Sequence, residues 1–461
     1  MELSKEQQIA FDKYVDGKNI FITGPGGSGK SELIRRIYNH ATRNFKDIHV
    51  CALTGCAAVL LNCNAKTVHS FAGIGLGNGT IEHLVQKIKQ NKFAKNMWRT
   101  TEILIVDEVS MMSLKLFDTL NYIGKAMRNN CSRPFGGIQV IFSGDFYQLP
   151  PVGNKEEIDT TRFCFESDDW NSVFHRDCQI QLKKIFRQQS DDVFASILNQ
   201  IRDGKIKRKT NDLLLQYVGR KCDDTDLVIT KLFPTKNKVE TINNNKMSEL
   251  VSEEREYVMK YTTNAEPAGK YEREKTHYSD SEVQFELEYM ANNLICDKTI
   301  RIKVGAQVMC IINLQSEQGV DICNGSQGTV TGFCEITGCP KVKYNNGREM
   351  VMARHTWTSE KIPGVGIMQV PLILAWALTI HKSQGATLDA AEIDVGSGIF
   401  ECGQTYVALS RVKSLNGLYL TSFDVTKIKI NKKVKAFYEA LNMYNNESES
   451  ENLVPLLIVE P

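Results

Sequence analysis

The sequence predicts an α/β fold built on a largely parallel sheet, and three stretches predict it. Asn19-Ile20-Phe21-Ile22-Thr23 is a β-prone run that leads through a glycine-rich loop, Gly24 to Gly29, into helix-like Glu32 to Tyr38. Ile103-Leu104-Ile105-Val106 is a continuous apolar run ending in Asp107 and Glu108, as a strand buried on both faces of a parallel sheet reads. Ile138 to Phe142 is a third such run, ending in Ser143-Gly144-Asp145. Ligands of such sheets bind at the carboxyl ends of the strands, where all three runs place their polar groups.

The first element carries G-x-x-x-x-G-K-S at Gly24, Gly29, Lys30 and Ser31. The loop Gly24, Pro25, Gly26, Gly27, Ser28 and Gly29 would surround phosphate oxygens, its backbone N–H groups pointing inward at every position but the proline. Lys30 would reach the β- and γ-phosphates and Ser31 would hold Mg²⁺, with the helix N-terminus facing the anion. The pattern points to a nucleoside triphosphate, ATP or GTP, and does not choose among kinase, GTPase, transporter and nucleic-acid motor. In the second element, Asp107 is placed to coordinate Mg²⁺ and Glu108 to orient or deprotonate the attacking water. Acids also suit a first helical turn; beside a phosphate loop the chemical reading takes precedence. Leu116, Leu120, Ile123 and Met127 then mark one apolar helix face, ended by Arg133-Pro134-Phe135-Gly136-Gly137. In the third element Gln148 could sense the γ-phosphate, its loop stiffened by Pro150 and Pro151.

Bulk properties agree with an ordinary globular chain. There are 461 residues, 42% hydrophobic and 24% charged, a length that suggests about three domains. The net charge of +2 excludes a strongly basic, tail-driven nucleic-acid binder but not a groove that grips a strand. No apolar run is long enough to span a bilayer, and MELSKEQQIAFD has neither a secretory apolar core nor the character of a transit peptide. The thirteen scattered cysteines read as reduced thiols inside a cell. The close pairs Cys51/Cys56 and Cys334/Cys339 lack a second pair at zinc spacing.

Together these motifs resemble the petite integration frequency DNA helicases, superfamily-one motors of the B type related to RecD. Leu116 to Arg128 followed by Arg133-Pro134-Phe135-Gly136-Gly137-Ile138-Gln139 is similar to that family's signature segment. "LSKEQQIAFD" resembles its adenine-reading motif, with Gln7 at the matching position. "ALTGCAAVLL" and "TVHSFAGIGLG" resemble strand-contacting motifs, and "SGDFYQLPPV" the γ-phosphate sensor. "LKKIFRQ" places an arginine finger at Arg187, "LAWALTIHKSQGATLD" brings Gly385 to the nucleotide, and "YVALSRV" places a second finger at Arg411. The likeness runs from about residue 3 to about 425; residues 245–295 do not match beyond a general polar character, and the phosphate loop reads Gly-Pro-Gly-Gly-Ser-Gly where the family more often has Ala and Thr.

The resemblance implies two RecA-like P-loop NTPase motor domains with a small inserted SH3-like β-barrel. The expected division is 1–188 for the first motor domain, with a wedge insert at about 72–97, and 189–295 for the start of the second. The inserted β domain takes 296–365, the rest of the second motor domain 366–440, and a polar tail 441–461. Alternating Ile302, Val304, Ala306 and Val308 read as one half-buried strand of the insert, with Asn324-Gly325, Gly328, Gly332, Gly338 and Asn346-Gly347 punctuating it. Trp376 reads as core, and the tail's Glu/Ser alternation as solvated. The implied DNA contacts are Thr54, Thr67, His69, Ser70, Thr379, His381, Lys382 and Ser383, with Phe71 stacking on bases. The implied activity is ATP- and Mg²⁺-dependent 5′→3′ translocation on single-stranded DNA with unwinding at duplex junctions, in replication, repair or recombination. The expected active form is an intracellular monomer with no membrane contact. An ATP-gated clamp and a motor subunit of a nuclease complex remain open alternatives.

Overall fold

The computed structural model of the chain describes residues 3–451 except 55–56, 59–60, 62, 76, 78, 155, 190, 222–228, 264–277, 295, 313, 317–318, 323–325, 360–361 and 363. Cys56, the Asn324-Gly325 turn and residues 452–461 of the expected tail therefore lie outside the described residues. Among those described, no helix is long and apolar enough to cross a membrane.

The first sheet has six strands: β1 Ile20–Thr23, β2 Ile48–Ala52, β3 Lys66–Thr67, β4 Ile103–Asp107, β5 Gln139–Ser143 and β6 Gln179–Gln181. Their order is β3-β2-β4-β5-β1-β6 and every pairing is parallel. Side chains alternate between two cores, as the two-residue period of a strand requires. Ile20, Ile22, Ile103, Ile105 and Ile141 pack under helices α1 Lys5–Val15 and α2 Lys30–Arg43. Phe21, Leu104, Val106, Val140 and Phe142 face the other way, onto Phe117, Trp98, Trp170 and Phe174. Burying each such aromatic ring contributes roughly 2–3 kcal/mol. Because the strands are parallel, Thr23, Asp107 and Ser143 end at one edge.

The helix Leu114–Met127 buries Phe117, Leu120, Ile123 and Met127, with Leu116 only partly covered. The turn after it is built by close approach: a Cβ on Gly136 would lie 2.3 Å from Gly124 O, and one on Gly124 would lie 2.7 Å from Phe135 O. Arg128 donates from Nε to Gly136 O and from Nη1 to Arg99 O and Thr101 O. The signature segment thus fastens the helix Lys92–Thr100 to the sheet. That helix and Ile81–Gln90 form the insert after β3 and bury Leu84, Ile88, Met97 and Trp98.

The second sheet is also parallel: Ala377–Thr379, Thr230–Phe233, Ala391–Val395 and Leu418–Phe423, in that order. Two parallel sheets of this kind make the molecule a pair of RecA-like units. The region between Phe233 and Ala377 contains a five-stranded antiparallel sheet, a three-stranded one and two strand pairs, all small. No pairing among the described residues closes them into the expected barrel. The alternating run from Ile302 is two strands, Thr299–Ile302 and Gln307–Cys310, rather than one. Gly305 at φ 90° turns the chain between them and leaves Val304 exposed. Trp376 is partly buried against the core shared by this region and the second sheet.

The C-terminus departs from expectation. One helix, Lys432–Glu451, runs through the end of the expected second motor domain and into the expected tail. Val434, Tyr438 and Leu441 are buried in the core of the first sheet, with Phe437 packed beside them. Three- and four-residue spacing gives the helix an apolar stripe that the polar residues after it conceal at the level of composition.

Candidate active site

The phosphate loop follows β1 as the motif requires. Gly24, Gly27 and Gly29 take φ of 144°, 83° and 84°. A Cβ would lie 2.6 Å from Leu182 O at Gly24, 2.5 Å from Arg187 Cβ at Gly27 and 2.5 Å from Gln7 Nε2 at Gly29, so only glycine fits there. Gly29 is the N-cap of α2 with no side-chain cap, and the buried Ser28 hydroxyl has no partner among the described residues. Lys30 Nζ donates to Gly24 O and Pro25 O at 2.7 and 3.1 Å, folded over the loop. Burial lowers the Lys30 pKa, opposed by the carboxylates of Asp145, Glu108 and Asp107. Ser31 follows in the first turn of α2. Gln7 is buried; it accepts from Ser4 N and donates from Nε2 to Gly29 O at 3.2 Å, bracing the loop.

Asp107 ends β4 with 5% exposure. Burial, with the neighbouring Glu108 charge, pushes its pKa up to about 6. Such a carboxylate has an electrostatic deficit that a divalent cation relieves. Glu108 adopts φ 56°, ψ 39°, left-handed geometry that costs a non-glycine residue about 1–2 kcal/mol. Across the cleft, Gln384 Nε2 donates to Glu108 Oε2 at 3.2 Å and approaches Gln148 Oε1 at 3.5 Å. Gly385, next to it, has φ 83° in the same turn.

The two arginines converge on the loop from the other side. Arg187 Nη1 donates to Ser410 O at 2.9 Å, and its backbone lies against Gly27. Arg411, 2% exposed, donates from Nε to Val407 O and from Nη2 to Ser410 Oγ, both 2.9 Å. Burial and Arg187 pull the Arg411 pKa down to about 9, and burial lowers Arg187 as well. Neither has an ion-pair partner among the described residues. Two buried, mutually repelling guanidiniums beside a phosphate loop fit a polyphosphate between them.

Several residues around the loop are assigned no role by the motifs, although some lie inside them. Tyr406 Oη accepts from Gly26 N at 2.8 Å. Gly403 abuts the sensor loop so closely that a Cβ would lie 2.4 Å from Tyr147 O. Leu149 of that loop is buried in the second unit's core. Asp145, fully buried, receives Nε and Nη2 of Arg202 at 2.9 and 2.8 Å. Arg202 ends the helix Asp192–Arg202, whose Phe194, Ile197 and Leu198 belong to that same core. Gln384, Tyr406 and Asp145 sit inside motifs that pointed only to their neighbours; Arg202 lies outside them and needed the folded chain.

The strand-contact candidates divide. Thr54, Thr67 and Thr379 each accept a backbone N–H through Oγ1, from Ala57, Ser70 and Lys382. Thr67, His69 and Ser70 line a groove of about 240 Å³ between the first unit and Phe285, Tyr289 and Trp357. Burial lowers the pKa of His69 and of His381, the latter opposed by Glu401. Lys382 is exposed. Two expectations fail. Phe71 is fully buried against Trp98, ring centroids 5.0 Å apart, so its face is not offered to a base. Ser383 is fully buried with its hydroxyl donating to Ile380 O. An exposed ring the motifs did not indicate is Phe400, 65% exposed and nearly parallel to His381 at 6.2 Å.

Comparison with known proteins follows the same outline. The model of the PIF1-like helicase family matches residues 2–212, and that of the DNA helicase Pif1 2B domain matches residues 287–333. The ATP-dependent DNA helicase PIF1 of Danio rerio is 36% identical over 95% of this chain and 64% of its own length. The ATP-dependent DNA helicase PIF1 of Homo sapiens is 33% identical over 99% of this chain and 68% of its own length. The chain thus spans about two thirds of these relatives, and 57% of the one from Candida albicans. Among solved structures, Pif1 helicase from Candida albicans is 36% identical with TM-score 0.78, covering 96% of this chain and 100% of that one. Bacteroides sp Pif1 in complex with ADP-AlF4 is 29% identical with TM-score 0.74, covering 97% and 98%. Bacteroides Pif1 bound to ssDNA is 29% identical with TM-score 0.66 over the same shares.

Proposed function

The chain belongs to the PIF1-like helicase family, and from that premise we propose that it is an ATP-driven motor that moves along single-stranded DNA and unwinds duplex. The observation that carries this reading is the convergence of Arg187, Arg411 and Gln384 on the phosphate loop and Glu108 of the same chain. A nucleotide there is touched by both RecA-like units, so its binding and loss alter their separation. Each chain holds both fingers in cis, which supports a single copy as the complete ATPase. One relative's structure is described as two coordinating Pif1 helicases at forked dsDNA, so pairing at a fork is compatible with that unit.

In this reading Lys30 and the loop N–H groups hold the β- and γ-phosphates, and Glu108 takes the proton of the attacking water. Gln148 and Gln384 place that water and register the γ-phosphate. Arg187 and Arg411 stabilise charge in the transition state, where their mutual repulsion is offset by the phosphates. Mg²⁺, held by Ser31 and Asp107, supplies further charge neutralisation at the phosphates when bound.

The DNA track runs over Thr54, Thr67, His69 and Ser70 on the first unit and Thr379, His381 and Lys382 on the second. We assign base stacking to Phe400 in place of Phe71, because an exposed ring beside His381 offers a free π-face. Polarity is 5′→3′, with the helical insert after β3 leading as the wedge; work in replication, repair or recombination follows from such an activity.

The test is steady-state ATPase with and without single-stranded DNA, beside strand separation on tailed duplexes. Stimulation with separation supports the motor, stimulation without separation indicates an ATP-gated clamp, and absence of both overturns the reading.

A further inference from the structure

The C-terminal helix Lys432–Glu451 returns from the second unit to the first and carries Tyr438 under the phosphate loop. The Tyr438 side chain is 2% exposed, and its hydroxyl has three partners. It lies 2.6 Å from Thr23 Oγ1, accepts from Phe146 N at 3.1 Å and donates to Asp145 Oδ1 at 3.2 Å. With Thr23 as donor, both lone pairs and the one proton are used, the full capacity of a phenol. Thr23 is the last residue of β1, immediately before Gly24. Asp145 and Phe146 begin the loop that carries Gln148, and Gln148 N donates to Asp145 O at 2.8 Å. One oxygen therefore ties the end of the phosphate-loop strand to the base of the sensor loop.

The ring is held as firmly. It stacks on Tyr147 with centroids 4.7 Å apart and planes 10° from parallel. The Arg202 guanidinium stands 4.4 Å from the Tyr147 ring and 5.3 Å from the Tyr438 ring while pairing with Asp145. Burial, reinforced by Asp145, keeps the Tyr438 hydroxyl protonated, as its donor role requires. Arg202 comes from the second unit, Thr23 and Asp145 from the first, and Tyr438 from the strap between them.

We propose that Tyr438 is a positioning residue of the nucleotide site, holding the phosphate-loop strand and the Gln148 loop in the register that hydrolysis needs. It touches neither nucleotide nor water and acts through Thr23 and Asp145. The inference rests on the function proposed above and names a part of that machinery outside its motifs.

Tyr438→Phe keeps the ring, its stacking and the helix packing, and removes only the oxygen. Measured at saturating single-stranded DNA, kcat for ATP should fall about tenfold while KM changes less than about threefold, because register matters more in the transition state than in binding. Thr23→Val, which removes the same tie from the strand side, should give the same split. The double variant should lose little more than Tyr438→Phe alone, since the Thr23–Tyr438 bond is already absent once the phenol oxygen is removed. An unchanged kcat in Tyr438→Phe, with or without a lower melting temperature by circular dichroism, overturns the proposal, as does a change confined to KM. If Tyr438→Phe does not fold, Thr23→Val decides alone by the same readout. The unmodified chain, assayed alongside, separates the two claims: if it shows no DNA-stimulated ATPase, the proposed function fails, whereas an active parent with an equally active variant removes only the role of Tyr438.

Discussion

Asp107 and Glu108 share one strand end but answer to different forces. Asp107 has a pKa of about 6 against an ordinary 3.8, so the folded chain keeps a proton that the unfolded chain releases. The stabilisation of the protonated form is complete below about pH 4 and is lost as pH rises through about 6, leaving a buried charge above that. Asp107→Asn should therefore raise the melting temperature of the nucleotide-free protein at pH 7.5, by about 2–4 °C per kcal/mol recovered, while abolishing Mg²⁺-dependent turnover. Scanning calorimetry from pH 5 to 8 should show the gain shrinking at the acid end; a gain equal at all pH values would contradict the assigned cause. Glu108→Gln should retain ATP binding and lose turnover by at least about a hundredfold, since it removes only the general base. Lys30→Ala should abolish hydrolysis. Arg411→Ala should lower kcat with little change in KM, and a change in KM alone would mark Arg411 as a structural cation.

At the level of elements, the signature segment does structural work. Helix Leu114–Met127 and the turn at Phe135–Gly136 approach too closely for side chains, and Gly136 also holds φ 66°. Gly136→Ala therefore meets backbone and strain together and should destabilise the fold by roughly 2–4 kcal/mol, read as a lower urea midpoint with an unchanged slope. Arg128 carries that effect to the helix Lys92–Thr100 of the insert, the proposed wedge, through the carbonyls of Arg99 and Thr101. The insert's own loop depends on left-handed glycines: Gly73, Gly75, Gly77 and Gly79 have φ of 69°, 65°, 71° and 105°. Shortening it between Gly73 and Gly79 should leave translocation on single strands intact and slow strand separation. Equal loss of both would show that the loop belongs to the motor rather than to the wedge.

For the molecule as a whole, the cleft between the two parallel sheets is both the proposed nucleotide site and the joint. Leu149 is buried in the second core, Arg202 pairs with Asp145 across the cleft, and the last helix returns to the first sheet. The units are therefore linked at three places around the phosphate-loop motif, which suits the proposed motor, whose step would be closure on ATP. Unwinding should require a 5′ single-stranded tail on the duplex. Efficient unwinding from a 3′ tail alone would reverse the assigned direction and the placing of the wedge in front.

What was legible in the sequence is chemistry that occupies contiguous residues. A phosphate loop needs Gly24, Gly29, Lys30 and Ser31 in one turn, and an apolar strand ending in Asp107-Glu108 carries its acids wherever the strand goes. The sequence by itself therefore determined the parallel α/β class, the strand–loop–helix that carries the phosphate-loop motif and, through the resemblance of its motifs, the family. Contacts between residues hundreds of positions apart leave no such local trace. Tyr438 meets Asp145 across 293 positions, and Gln384 meets Glu108 across 276. Only the tertiary structure decided that Phe71 is core while Phe400 is exposed, because the fate of a ring depends on what packs opposite it. It likewise decided that the last helix completes the first unit, since an apolar stripe states that it must be covered and not by which sheet.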